Sequence, residues 1–410
     1  MIRIRKTGRV TAAVLAAGAV TALAGAPAQA ATEAAPAAAN GWTADLSTVD
    51  GDDVNVTGAG GTLTLADPAW HRTARVFAGS EGSLLLPEHA LSGPADRVSA
   101  QVGADTPAGT SVEVDVRGRT GVNDWTEWTP AGTALRADVG SVQVRISLHS
   151  TTDGVRPAVR SVALSADSAP RVNALAATTP LTYKVYATRE GLVGGTTANG
   201  HKIVSRDHFV SFPSVKSVSP KGTGNYTARV CRTDGSKCEY APVWEVGPWN
   251  IHDDYWNPAS VRAEFKDLPQ GKPEAQAAYL EGYNGKKDDS GRTVQNPAGI
   301  DLADGVFWDG LGMSDNGYVN VTYLWTGSGP TGVVGTAGDP LNVRASASTA
   351  AAVKGLAANY AKVTIECYTT GDTVTGKFGT SNIWDRIGSG HYVSDTYLQT
   401  GSDSPVAPLC

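Results

Sequence analysis

The chain lacks any basic run interleaved with aromatic residues, so it has no stripe for tracking phosphates, and nucleic acid is excluded as a partner. Past residue 30 it lacks any apolar stretch long enough to cross a bilayer as a helix. It lacks a C-x-x-C pair, which argues against zinc as the reason for its cysteines. It also lacks the His-x-x-x-His and His-x-x-Glu-His grammar of helical metal sites. Long periodic helices are scarce. What remains are short segments in which apolar and polar residues alternate, the mark of half-buried strands.

The first thirty residues read as a secretory signal peptide. Arg3, Arg5, Lys6 and Arg9 form a basic start, Thr11 to Ala24 is a short apolar run, and Ala28-Gln29-Ala30 supplies a small-x-small cleavage site. No cysteine follows the apolar run to carry a lipid anchor. Removing the segment takes away those four basic residues and no acid, lowering the formal charge from −6 to −10. The expected product is a mildly acidic, secreted, extracellular or wall-associated monomer, with no membrane contact after cleavage.

Four cysteines fit an oxidising compartment. Cys231 and Cys238 flank a turn between two β-like runs, whereas Cys367 and Cys410 share the C-terminal segment. The economical pairing is 231–238 and 367–410, although four cysteines allow three connectivities.

The mature chain is too long for one core of ordinary size. An Ala/Pro-rich leader, expected to be disordered, occupies 31–40. Residues 41–167 alternate strongly, as in Ser111-Val-Glu-Val-Asp-Val116 and Val142-Gln-Val-Arg-Ile-Ser-Leu148, and predict a β-sandwich or jelly roll. Residues 168–180 read as a linker, 181–328 as a second module and 329–410 as a third. The whole is expected to be a mainly β, multidomain chain. One convincing helix falls within Lys272–Tyr283, with Pro273 in its first turn, Glu274 at its positive end and Gly282 at its close.

Two carboxylates stand out in the second module. Glu245 follows Pro242-Val243-Trp244 and precedes Gly247-Pro248, and Asp301 lies in Gly299-Ile300-Asp301-Leu302. Each sits where a β segment gives way to a turn, which places an acid at a barrel rim. The order of these pieces, beginning at Thr196-Thr197-Ala198-Asn199-Gly200 and ending in the strand-like Tyr318–Trp325, resembles the double-psi β-barrel of the rare lipoprotein A and expansin families. That resemblance implies work on cell-wall polysaccharide, peptidoglycan above all. It also implies acid/base roles for Asp301 and Glu245. Three features depart from the pattern. Glu245 stands where those proteins have Asp before x-Gly-Pro, His201 stands where they have Glu after Asn-Gly, and residues 250–299 intervene where they have about ten. The insertion predicts a lid or binding wall.

Two acids across a glycosidic bond could act as general acid and base, with His201 able to take over proton transfer near neutral pH. Both could equally be turn carboxylates held by backbone N–H groups. Trp249, Tyr255, Trp256 and Trp308 are candidate sugar-stacking residues, while Trp244 and Phe307 read better as core. His201, Asp207, His208, His252 and Asp253 could ligate a metal instead, and a weak Ca²⁺ site at 286–291 is a further alternative. The site as predicted nevertheless contains no metal and no cofactor.

Leu341-Asn-Val-Arg344 and the closing His391-Tyr-Val-Ser394 and Tyr397-Leu398 resemble a bacterial SH3-like domain, which implies wall binding. The first module is similar to galactose-binding jelly rolls. Its Trp125 and Trp128, three residues apart, belong on opposite faces of a regular strand and suit either packing or glycan stacking. The leading functional reading is a wall-glycan enzyme held to its polymer by flanking modules. The second is an expansin-like protein that grips glycan without turnover.

Overall fold

The computed structural model describes residues 41–70, 79–168 and 179–410. The expected signal peptide and leader, and nearly all of the expected linker, lie outside the described residues. The protein is a mainly β, multidomain fold, as its alternation requires.

The N-terminal part is a curled ten-stranded sheet. Its two longest strands, His89–Asp105 and Ala134–Ser150, pair with each other, and the second also pairs along Thr110–Gly121. Val142, Val144, Ile146 and Leu148 are all buried. Successive side chains of a strand point to opposite faces, so this register sends the apolar set inward with Leu63, Leu84 and Val159.

The centre is a closed barrel of six strands. Leu181–Arg189 pairs with Ala298–Leu302, which pairs with Val210–Phe212, which pairs with Cys238–Val246. Cys238–Val246 continues to Thr227–Arg232, then Gly317–Tyr323, which returns to the first strand. Closure leaves no free edge within the ring. Val185, Ala187, Val210, Phe212, Val230, Val243, Ile300 and Val321 fill it.

The C-terminal strands join the barrel directly: Val353–Ala357 runs parallel to Cys238–Val246. Tyr240 and Leu324 of the barrel share a core with Val343, Val363 and Val393. Disulfides link Cys231 to Cys238 and Cys367 to Cys410, with S–S distances of 2.02 and 2.12 Å, the pairing expected from the sequence.

The helix of the insertion is Glu274–Glu281, shorter than its sequence span. Pro273 precedes it, and Gly282 closes it at φ 75°, its N–H reaching the carbonyls of Ala277 and Ala278. Ala275, Ala277 and Ala278 are its buried face. A fully buried pair, Arg262 and Asp253, ties the insertion down: Asp253 Oδ1 accepts from Arg262 Nε at 3.0 Å, and its Oδ2 accepts from the Glu274 backbone N–H at 2.6 Å. A buried charge needs such partners.

Trp128 does not present a glycan surface. Trp128 is 1 % exposed and belongs to the barrel's core cluster, its Nε1 donating to the Val218 carbonyl at 3.1 Å. The Arg117 guanidinium covers Trp125 at 4.4 Å. Glu127, between them, accepts from Trp256 Nε1 at 2.6 Å and Trp325 Nε1 at 2.8 Å. This short motif therefore plugs the first module into the barrel.

Candidate functional site

Asp301 lies between Ile300 and Leu302, both in the barrel core. The two-residue period of a strand turns its carboxyl the other way, out of the barrel wall. There it joins a cavity of about 310 Å³ whose lining includes Thr188, Arg189, Ser211, Trp249, Arg292 and Asn296. Thr188, paired with Asp301 across a parallel ladder, donates its hydroxyl to Asp301 Oδ1. Asp301 keeps partial exposure through the cavity, yet enough protein surrounds it that burial pushes its carboxyl up to about 7, against the opposing pull of the Thr188 hydroxyl. An acid poised there can hold and release a proton near neutral pH.

Trp249 shares this cavity. It adopts φ 64° immediately after the cis Gly247–Pro248 bond. Its Nε1 donates to Asn296 Oδ1 at 3.0 Å, and its carbonyl accepts from Arg292 Nη2. The ring is half-buried, with the Arg292 guanidinium 5.9 Å from its centroid. Arg292 also donates to Asp288 at 2.6 Å, and Arg189 donates to Asp304 at 2.5 Å. Two guanidiniums, each held by a carboxylate of its own, thus line the cavity that one protonatable acid enters.

Glu245 is not presented beside Asp301. Ser211 is the register partner of both, so the two acids lie on strands either side of Val210–Phe212, about 9–10 Å apart at the backbone. Glu245, however, is 1 % exposed, is not among the residues lining the cavity, and its Oε1 accepts from the Val246 backbone N–H at 2.7 Å. A register irregularity between Val210 and Ser211 accompanies this burial. Open presentation of both acids, as the rim placement suggested, is therefore not what this structure has.

His201 also lies elsewhere. Its Nε2 is 2.6 Å from Asp207 Oδ2, and its ring packs 4.6 Å from that of Trp244. The five-residue metal set disperses in the same way. His208 Nδ1 pairs with Glu239 Oε1 at 2.7 Å, and Asp253 is committed to Arg262.

Tyr255 and Trp256 are corrections. Both are fully buried, stacked into the barrel's aromatic core with Phe212, Tyr323 and Trp325. Tyr255 donates to the Gly299 carbonyl at 2.9 Å and accepts from Tyr323 at 2.7 Å. A neighbouring turn suggested exposure, but Glu127 of the first module offers Trp256 an acceptor that no local pattern reveals. Trp308 is 38 % exposed, with the Arg189 and Arg206 guanidiniums 4.8 and 4.6 Å from its ring. Trp244 and Phe307 are buried. Sequence reasoning missed Thr188, Arg189 and Ser211, which long-range strand pairing brings to Asp301, and Arg292 and Asn296, which lie close before it in the chain but carry no motif that marks them.

Residues 181–322 match a family described as a domain of unknown function (DUF8814), a span close to that of the six barrel strands. Residues 29–154 match a family described as a peptidase C39 N-terminal domain. The chain is 43 % identical over 83 residues to the uncharacterized protein YraI of Bacillus subtilis, covering 18 % of this chain and 70 % of the relative. It is 42 % identical over 83 residues to the uncharacterized protein YraJ of the same organism, with the same shares covered. No solved structure matches the chain.

Proposed function

The chain belongs, through the 83 residues it shares with them, to the family of the Bacillus subtilis proteins YraI and YraJ, and from that premise we propose that it is an exported protein acting on cell-wall glycan, peptidoglycan first, through the central barrel. The observation carrying this reading is Asp301, held up to about 7 in a cavity shared with Trp249. The double-psi likeness to rare lipoprotein A and expansins supports the same reading. Two disulfides suit an oxidising exterior. Among the described residues no helix is long and apolar enough to cross a membrane.

In the proposed reaction protonated Asp301 gives its proton to the glycosidic oxygen as the bond from the sugar carbon to that oxygen breaks. Water, or a hydroxyl of the same sugar, forms the new bond to that carbon. Its proton returns to the Asp301 carboxylate, restoring the acid. In this reading the Arg189 and Arg292 guanidiniums, which line the cavity, turn donors toward carboxylates of the stem peptides. The peptidase-domain match concerns a named N-terminal domain, and here it falls on the curled sheet; we assign that sheet a holding role and not proteolysis.

Gripping without turnover is the second reading. It is favoured by the burial of Glu245 and the distant placement of His201, which leave Asp301 as the one sequence-predicted acid/base residue in the cavity. The test is mass spectrometry of soluble products after incubation with purified walls. Asp301→Asn should cut fragment release by about 10²-fold or more while wall binding changes little. Anhydro ends mark attack by the sugar's own hydroxyl and reducing ends mark hydrolysis. No products at any pH from the wild-type protein, with binding retained, leave the gripping reading.

A further inference from the structure

The insertion carries a cluster that the glycan chemistry does not use. We propose that His252, Glu264 and Asp289 form a binding site for a divalent transition cation, Zn²⁺ first. One ring nitrogen and one oxygen from each carboxylate lie within 4.8 Å of one another, although His252 comes from a β-bridge, Glu264 from a bend and Asp289 from a turn. His252 Nδ1 and Glu264 Oε1 are 3.6 Å apart, too far for a hydrogen bond. Two donors about 2.0–2.1 Å from one tetrahedral ion stand about 3.3–3.4 Å apart, so an ion would need only a small closure of the pair.

Asp289 is already oriented. Its Oδ2 accepts from the Ile251 N–H at 2.8 Å and its Oδ1 from Ser290 Oγ at 2.9 Å. The first of these bonds fixes the acid against the residue preceding His252. One of the three ligands is thus preset beside the backbone of the second, and the exposed Glu264 closes the set. Carboxylate oxygens that accept one hydrogen bond keep lone pairs for a metal.

The donor set selects the class of ion. One imidazole with two carboxylates suits Zn²⁺ or Mn²⁺, whereas Ca²⁺ and Mg²⁺ favour oxygen alone. Three protein ligands also leave a coordination position for water or another ligand. His252 lines a cavity of about 250 Å³ between the curled sheet and the barrel, shared with Glu113, Arg145 and His149, so such a ligand has room beside it. This assignment stands on the insertion alone and does not depend on the reading of Asp301.

Untagged, chelator-stripped full-length protein should be titrated calorimetrically with ZnCl₂. Saturable binding of a single ion per chain is expected. His252→Ala and Glu264→Gln should each weaken it by at least the roughly tenfold that even outer-shell partners are worth. Neutralising Asp50, Asp52 and Asp53 together, the second cluster among the described residues close enough to hold an ion, should leave the affinity unchanged. Glu264 is exposed, so Glu264→Gln decides the matter should His252→Ala not fold. No saturable binding, binding unmoved by Glu264→Gln, or binding lost in the triple variant overturns the assignment.

Discussion

Asp301 carries its carboxyl out through the barrel wall between two side chains that point in, and this placement sets its titration. Its folded value of about 7 lies above the ordinary 3.8. The folded state therefore holds the proton more tightly than the unfolded chain does. The cost of this arrangement is absent below about pH 4, grows as pH rises toward 7, and is full above it. Asp301→Asn keeps an acceptor for Thr188 and carries no charge, so it should stabilise the protein at pH 8 and leave it unchanged near pH 4. With allowance for partial exposure, the gain should be about 1–2 kcal/mol. Thermal melts of both proteins at the two pH values check this; equal melting temperatures at pH 8 would mean that the carboxyl titrates normally. At this scale the sequence showed the acid through its β-to-turn position and its Ile-Asp-Leu setting. It did not show Thr188, which reaches Asp301, or Arg189, which shares its cavity, because a parallel pairing across more than a hundred residues brings both there. Trp256 was misread because proximity to a turn was taken for exposure, while the acceptor that buries it belongs to another module; Tyr255, also a stacking candidate, is buried in the barrel core.

Elements were more legible than contacts. Alternation marked the strand Ala134–Ser150 because one face is buried along much of its length, and the period of two survives any tertiary context. The insertion helix was marked by Pro273 and Gly282, whose backbone preferences act locally. The π-helical segment Val306–Gly310 was not marked, since it packs on a distant acid. It presses Gly310 against Glu239, which is fully buried and paired with His208. A Cβ on Gly310 would meet Glu239 Oε2 at 1.5 Å and Cδ at 2.7 Å. Glu239 cannot retreat without losing His208, so Gly310→Ala should destabilise by about 1–3 kcal/mol or more. Urea denaturation measures it. Val102→Ala, at an exposed strand position in the first module, provides a comparison within about 0.5 kcal/mol of wild type. A Gly310→Ala value equally close to wild type would mean that the turn yields freely.

Across the whole molecule the modules are joined more closely than a chain of separate beads. The parallel pairing of Val353–Ala357 with Cys238–Val246 joins the C-terminal strands to the barrel, and Lys362 N–H donates to buried Thr227 Oγ1 at 2.9 Å. Deleting residues 333–410 would therefore strip a covered flank of the barrel as well as remove a binding module, and loss of activity in such a truncation would not locate the chemistry. At the junction with the first module one acid serves several buried donors. Glu127 Oε1 serves both the Trp256 and the Trp325 indole N–H groups, and its Oε2 accepts from Asn257 Nδ2 at 2.8 Å. Glu127→Ala would leave both indole donors buried beside a void, each costing about 1–3 kcal/mol. The expected loss is about 2–5 kcal/mol, concentrated at the junction and not inside the curled sheet, whose own core of Leu63, Leu84 and Ile146 does not involve Glu127. Glu127→Gln keeps the carbonyl acceptor for the indoles and should recover much of the loss. The measurement is calorimetry with limited proteolysis. Glu127→Ala should lower the main transition and admit cleavage between the sheet and the barrel, whereas Glu127→Gln should resist it. If both variants melt and digest like the wild type, the modules are held together by the burial of Trp128 and by the hydrogen bonds that Trp128 and Tyr226 make across the junction, without help from Glu127.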